Sequence, residues 1–268
     1  MILSVNGHAT YCYTGGKPFD AAKPTVVFLH GVLNDHSVWI LQTRWFAHHG
    51  FNVLAPDLPG HCRSAGEPPK SVEEAAAFVL ALLDAAGVQQ AALVGHSFGS
   101  LTALQAASLA PERVSHLALV GTAFPMKVSP ALLDSALNQP MQAIEMVNTF
   151  SHSMLAPPPS TLGPGTWLYG GSRALMRRVL ASNPRVNVFH TGFKACDDYA
   201  GGEAAIARVQ CPVLFILGTR DSMTLPKMAK PLQDKAPQAR TVLLDAGHAL
   251  MAEAPDGVLF ALKDFIAP

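Results

Sequence analysis

The sequence predicts an α/β fold, with a mostly parallel central sheet and helices on both faces. Three observations predict it. Short apolar runs typical of buried strands recur along the chain: Thr25–Leu29, Asn52–Ala55, Ala91–Val94, Leu117–Val120, Val213–Gly218 and Thr241–Leu244. They alternate with stretches of helical periodicity, and that alternation builds a parallel sheet covered on both sides. Hydrophobic residues make up 49% of the 268 and charged residues 14%, enough apolar mass for a core on each face of one domain.

Taken in order, His8–Tyr13 reads as an edge strand. Asn52–Ala55 reads as a short central strand that stops at Pro56. Ser71 followed by Glu74 is a capping-box pattern that starts a helix running to about Gly87, with Val72, Ala76, Val79, Leu80 and Leu83 on its buried face. Pro255–Ile266 is the expected last helix. Between Val120 and Val213 the pattern changes. Helices are expected at Ala131–Leu137, Met141–Phe150, Ser172–Ala181 and Val188–Tyr199, interrupted by Pro157-Pro158-Pro159 and Gly163-Pro164-Gly165. A structureless loop of that length is improbable in a compact domain. The expected organisation is therefore a core of residues 1–123 and 210–268, with residues 124–209 inserted as a helical cap.

The apolar run Ala91–Val94 leads directly into Gly95-His96-Ser97-Phe98-Gly99, and a helix-like stretch follows from Ser100. Strand, Gly-x-Ser-x-Gly, helix is the context of a nucleophile elbow, a tight turn that exposes a serine hydroxyl. A flexible glycine loop is the bland alternative, and it rarely sits between such a strand and an alanine-rich helix. Serine needs a base, and the base needs a group that fixes its tautomer. Chain order in this architecture is serine, acid, histidine. Asp221 follows the strand Val213–Gly218, and His248 follows the strand Thr241–Leu244. Asp245 competes as the acid, but only three residues from His248 it reads as a brace for that turn. The strand ending at Val120 leads into Gly121-Thr122-Ala123, which offers no carboxylate. His96 reads as elbow packing, with a pocket role as the alternative.

An oxyanion needs two donors. Phe98 N–H comes with the elbow, and Val32 N–H is the expected second donor, after the strand Thr25–Leu29. Gly31 lets the backbone turn beneath the serine, and His30 reads as a turn-stabilising residue. The expected pocket wall comprises His30, Gly31 and Trp39 from the core and Met126, Met146, Phe150 and Trp167 from the cap. Met141, Met154, Tyr169 and Phe189 add to the apolar character of that cap, although any one of these residues could equally be cap core.

These motifs resemble the α/β-hydrolase superfamily. The resemblance is carried by His30-Gly31, Asp57-Leu58-Pro59-Gly60-His61, the elbow at Ser97, Asp221 and Gly247-His248, and it covers nearly the whole chain outside the insertion. Leu29-His30-Gly31 with Trp39 eight residues after Gly31 is similar to small bacterial carboxylesterases. One departure is Cys62, where the family usually has a second glycine. The resemblance implies an α/β-hydrolase fold with a helical cap and a serine hydrolase acting on a carboxylic ester, with no cofactor. Two other readings stay open: a carbon–carbon bond hydrolase of the aromatic-degradation type, and a non-catalytic small-molecule receptor on the same fold. The first needs a cation in the pocket, and Arg177 or Arg178 would have to face inward. Otherwise Arg173, Arg177, Arg178 and Arg185 form a solvated helix face. Dehalogenase and epoxide hydrolase chemistry would need Asp at position 97.

Formal net charge is +0, so no nucleic acid or polyanionic surface is expected as a partner. The expected partner is a small molecule, an ester with an apolar acyl group, and the expected assembly is a monomer or homodimer. Cys12, Cys62, Cys196 and Cys211 are scattered without metal or disulfide spacing, which fits a reducing compartment. No metal site is expected, and Asp197-Asp198 reads as surface or capping. The first residues lack a signal-peptide pattern, and no apolar run is long enough for a membrane span, so a cytoplasmic location is expected.

Overall fold

In the computed structural model, which describes residues 1–20, 22–153 and 166–267, eight strands form a single sheet. They are β1 (Ile2–Val5), β2 (His8–Tyr13), β3 (Thr25–Leu29), β4 (Asn52–Pro56), β5 (Ala91–His96), β6 (Val114–Val120), β7 (Val213–Gly218) and β8 (Arg240–Leu244). Their spatial order is β1-β2-β4-β3-β5-β6-β7-β8. From β4 to β8 every pairing is parallel, whereas β1 with β2 and β2 with β4 are antiparallel.

His8–Tyr13 is not the edge expected from the sequence. β1 covers it, in register from Ile2↔Tyr11 to Val5↔His8. Asn6 and Gly7 make the turn, both with positive φ (50° and 79°). Asn-Gly is the strongest short hairpin signal, because that turn needs two left-handed residues.

Alternation along the strands divides the core in two. Val27, Leu29, Leu93, Leu119 and Phe215 face the helices Val72–Ala85 and Phe98–Leu109. Val26, Phe28, Val94, Val120 and Ile216 face Ile40–His48 and Pro255–Ile266. A period of two sends neighbouring side chains to opposite faces. β3, β4, β5 and β7 are buried along their whole length, which is why they read as unbroken apolar runs. The helix Val72–Ala85 begins as expected, with Ser71 Oγ accepting from Glu74 N at 3.1 Å.

Between β6 and β7 lie helices at Pro130–Asn138, Pro140–Ser151, Leu168–Ser182, Val188–Asp198 and Gly202–Ile206. The first four share an apolar cluster of their own, built on Ala136, Ile144, Met176, Val179 and Phe189, with Leu33 reaching up from the loop after β3. Met126, Ala195, Cys196, Tyr199, Ala205 and Ile206 pack instead into the main core, although they fall within the stretch 124–209. Met154 and the two Pro/Gly interruptions expected from the sequence lie outside the described residues. Among the described residues no helix is long and apolar enough to cross a membrane.

Candidate active site

β5 ends at His96, and Ser97 joins it to the helix Phe98–Leu109 with φ 53° and ψ −119°. A non-glycine residue in this region is strained by roughly 1–3 kcal/mol and persists only where its surroundings enforce it. Ser97 N donates to Val120 O of β6 at 3.0 Å, and Ser100 N donates back to Ser97 O at 2.8 Å. The flanking glycines are sterically required. A Cβ on Gly95 would lie 2.0 Å from Gly99 O, and one on Gly99 would lie 2.4 Å from Leu29 O. Phe98 is the first residue of its helix, so its N–H belongs to the donors that the helix itself leaves unpaired.

Asp221 lies three residues past β7 and His248 four past β8. Asp221 Oδ2 is 2.8 Å from His248 Nδ1, and both side chains are buried. Asp221 Oδ1 accepts from Met223 N and Thr224 N, each at 2.8 Å. Burial pushes this carboxyl up, but His248 and the donors of Thr224 outweigh it, and the net shift is downward. The acid therefore stays ionised. Asp245, the competing acid, is exposed and paired with Arg220 at 2.7 Å, which fits the bracing assignment.

Thr224 escaped the sequence reading. Its Oγ1 lies 2.7 Å from Asp221 Oδ2, 3.1 Å from His248 Nδ1 and 3.1 Å from Gly121 O. A hydroxyl three residues after an aspartate at a strand end is a turn signal that could have found it.

His96 packs behind the elbow. Its Nε2 donates to His248 O at 2.9 Å, and the two rings lie 4.7 Å apart. Burial and the neighbouring His248 push its pKa down to about 3, so the ring is neutral with its proton on Nε2. His30 is also buried, and burial lowers its pKa. Its Nε2 accepts from Leu58 N at 3.1 Å while Nδ1 bonds Gly31 O at 2.9 Å. At Gly31 a Cβ would meet His96 Nδ1 at 3.0 Å and Ser97 Cβ at 3.1 Å, so the chain passes close beneath the serine.

A cavity of about 300 Å³ opens above these residues, lined by Ser97, His248, His96, Gly31 and Val32 from the core. Its opposite wall includes Val147, Leu168, Leu175, Met176 and Phe193 from the inserted helices. Trp167 stands at this wall, 56% exposed. Five expected wall residues are elsewhere. His30 is engaged by the turn, and Trp39 is buried against Phe28 on the far side of the sheet. Met126 packs in the main core. Phe150 is 50% exposed, and neither it nor Met146 reaches the cavity. Composition marks these residues as apolar but does not say which way each one faces.

Among the described residues lining the cavity there is no Asp, Glu, Lys or Arg. Arg178 is exposed, as expected of a solvated helix face, and does not line the cavity, but its tip is not free. Its Nη2 binds buried Asp35 at 2.6 Å. That pair, with Cys62 N on Ser182 Oγ (2.9 Å) and Asn183 Nδ2 on Gly60 O (3.0 Å), ties the end of Leu168–Ser182 to the core loops. Cys62 keeps the loop shape at φ 44°, a left-handed position that suits the glycine of the resembled family. Asp197 accepts from Val128 N at 3.1 Å, a contact to the loop before the helix Pro130–Asn138, whose cap is Ser129.

Asp35, His36 and Asp57 could in principle hold a metal ion, with one ligand atom from each within 4.8 Å. Their oxygens are already engaged. Asp57 Oδ1 accepts from His36 N and Nδ1, Asp57 Oδ2 from Arg63 N, and Asp35 Oδ1 from Ser37 N. With Arg178 on Asp35 Oδ2, the cluster is a brace behind the loop after β3.

The chain is 29% identical over 252 residues to the dihydrolipoyllysine-residue acetyltransferase component of the acetoin cleaving system of Pseudomonas putida. The match covers 91% of this chain but 62% of that protein, so the chain spans less than two thirds of its length. It is 28% identical over 252 residues to the pimeloyl-[acyl-carrier protein] methyl ester esterase of Photobacterium profundum, covering 90% of this chain and 94% of that one. In structure it is similar to the enol-lactonase from Burkholderia xenovorans LB400, with a TM-score of 0.83 over 100% of both chains at 24% identity, a likeness of fold. A family model described as alpha/beta hydrolase fold matches residues 24–255, and with the sheet and elbow described above the chain belongs to the α/β-hydrolase family.

Proposed function

We propose that this protein is a serine hydrolase that cleaves an uncharged carboxylic ester through an acyl-enzyme. The observation that carries the reading is the buried Asp221–His248 hydrogen bond at the wall of a cavity that Ser97 also lines. Ser97 Oγ attacks the ester carbonyl carbon as His248 Nε2 takes its proton. Asp221 accepts the Nδ1–H hydrogen bond and stabilises the imidazolium. The N–H groups of Val32 and Phe98 hold the oxyanion. The tetrahedral intermediate collapses, the ester C–O bond breaks, and His248 passes its proton to the leaving alcohol. Water, deprotonated by His248, then attacks the acyl carbon and frees the acid and Ser97. The helices between β6 and β7 act as a cap that shields this chemistry from bulk water.

Among the described residues the cavity wall carries no Asp, Glu, Lys or Arg, which favours this reading over a carbon–carbon hydrolase for a carboxylate substrate, because a carboxylate taken from water without a partner is costly. A screen of p-nitrophenyl esters of increasing chain length, with thioesters and lactones alongside, tests it. Turnover of neutral esters that disappears in Ser97→Ala is the expected result. A folded protein that binds such compounds and turns over none of them would establish the receptor reading instead.

A further inference from the structure

The segment after the helix Pro140–Ser151 lies flush against the loop that carries His248. Ala249 N donates to Ser151 O at 2.9 Å. On the other side of His248, a Cβ on Gly247 would sit 2.7 Å from Ser153 N and 2.8 Å from Ser151 O. Glu253 closes this contact. Its Oε1 accepts from Ser153 N at 2.8 Å and from Ser153 Oγ at 3.0 Å, and its Oε2 accepts from Gly247 N. A further bond, Ser222 Oγ to Phe150 O at 2.8 Å, ties the same helix end to the residue after Asp221.

We propose that Glu253 is a positioning residue for His248, through which the end of the cap helix holds the base in line with Ser97. The inference rests on the hydrolase reading above. A carboxylate suits the place because it is an acceptor on both oxygens and here meets backbone N–H groups on both sides. Glutamine has nearly the same shape but must turn an N–H₂ toward one of those donors, so one half of the clamp opens. Glu253 does not line the cavity, so the loss falls on the chemical step and not on substrate binding.

The test compares wild type, Glu253→Gln and Ser153→Ala by steady-state kinetics on a neutral p-nitrophenyl ester and by the rate of fluorophosphonate labelling at Ser97. Misplacing a reacting group by about 1 Å can cost roughly 10²-fold in rate. Glu253→Gln is expected to lose between about 10- and 100-fold in kcat, with KM within about threefold and the labelling rate falling in parallel. Ser153→Ala, which removes one of the three donors, is expected to lose a few-fold in kcat with the same split. Wild-type kcat and labelling rate in Glu253→Gln overturn the proposal, even if the melting temperature drops. If Glu253→Gln does not fold, unchanged kcat in Ser153→Ala overturns it. Failure of the hydrolase reading looks different: wild type itself takes no label at Ser97, and the positioning role falls with it.

Discussion

Asp221 and His248 are 27 residues apart in sequence, and their side chains meet at 2.8 Å in a buried site. The sheet brings them together. β7 and β8 are parallel neighbours in register at Gly218↔Leu244, so their following loops leave the sheet side by side. Gly218 lets those loops touch, since a Cβ there would lie 2.5 Å from both Ala246 O and Gly247 O. Replacing Asp221 by Asn is expected to reduce ester turnover by roughly 10⁴-fold, through the wrong histidine tautomer. Asp245→Asn, on an exposed ion pair, is expected to stay within about threefold. Steady-state kinetics of both variants check this, and the reverse order of effects would make Asp245 the acid.

Thr224→Val removes the hydroxyl that faces Asp221 Oδ2 and keeps the backbone donor to Oδ1. A hydrogen bond to a charged group is worth about 1.5–3 kcal/mol. Urea unfolding of the variant should show a stability loss of that order, together with lower kcat. Unchanged stability and unchanged turnover would show that the hydroxyl is idle.

Acid should destabilise the fold from about pH 6.5 downward, well above the carboxylate range. Burial and the adjacent His248 push His96 down to about 3, and burial and His30 push His61 down to about 4. Below the ordinary value of 6.5 the unfolded chain binds protons that these buried rings refuse. The unfolded state is therefore favoured as pH falls, by up to about 1.4 kcal/mol per pH unit for each ring. Melting temperature measured from pH 7 to pH 4 should fall steadily, with a shallower slope in His61→Gln. A flat profile from pH 7 to pH 5 would contradict the neutral assignment.

Arg178 serves the brace at Asp35 and not the substrate. Arg178→Ala should lower the melting temperature, because it leaves a buried carboxylate without its cation. It should leave kcat/KM for a neutral short-chain ester within about threefold, or roughly 0.65 kcal/mol of barrier. Kinetics on a neutral ester beside a carboxylate-bearing one check the assignment. A hundredfold loss confined to the carboxylate-bearing ester, with that ester the better substrate for wild type, would favour carbon–carbon bond cleavage.

The sheet was legible because its central strands are buried on both faces and read as unbroken apolar runs. The inserted helices were legible from their periodicity, and Met141–Phe150 differs from the observed Pro140–Ser151 by one residue at each end. β1 was missed because a four-residue strand with half-exposed side chains carries little pattern, although Asn6-Gly7 announces its hairpin. Ser97, Asp221 and His248 could be chosen because strand ends mark where side chains converge. Thr224 and Glu253 could not be chosen that way. They act through hydrogen bonds that depend on how two loops fold back, and only Thr224, three residues after Asp221, leaves a turn signal in the spacing. Trp39 and Phe150 were misplaced for a related reason: an aromatic residue has the same letter whether it faces the cavity, the far side of the sheet or solvent.

The most direct test of Ser97 as the nucleophile is labelling with a fluorophosphonate probe, which reacts only where a serine is activated by a base within a site that holds the developing oxyanion. One label per chain is expected, on Ser97 by peptide mapping, and none in Ser97→Ala. A label that persists in Ser97→Ala, or a folded wild-type protein that takes none, would contradict it.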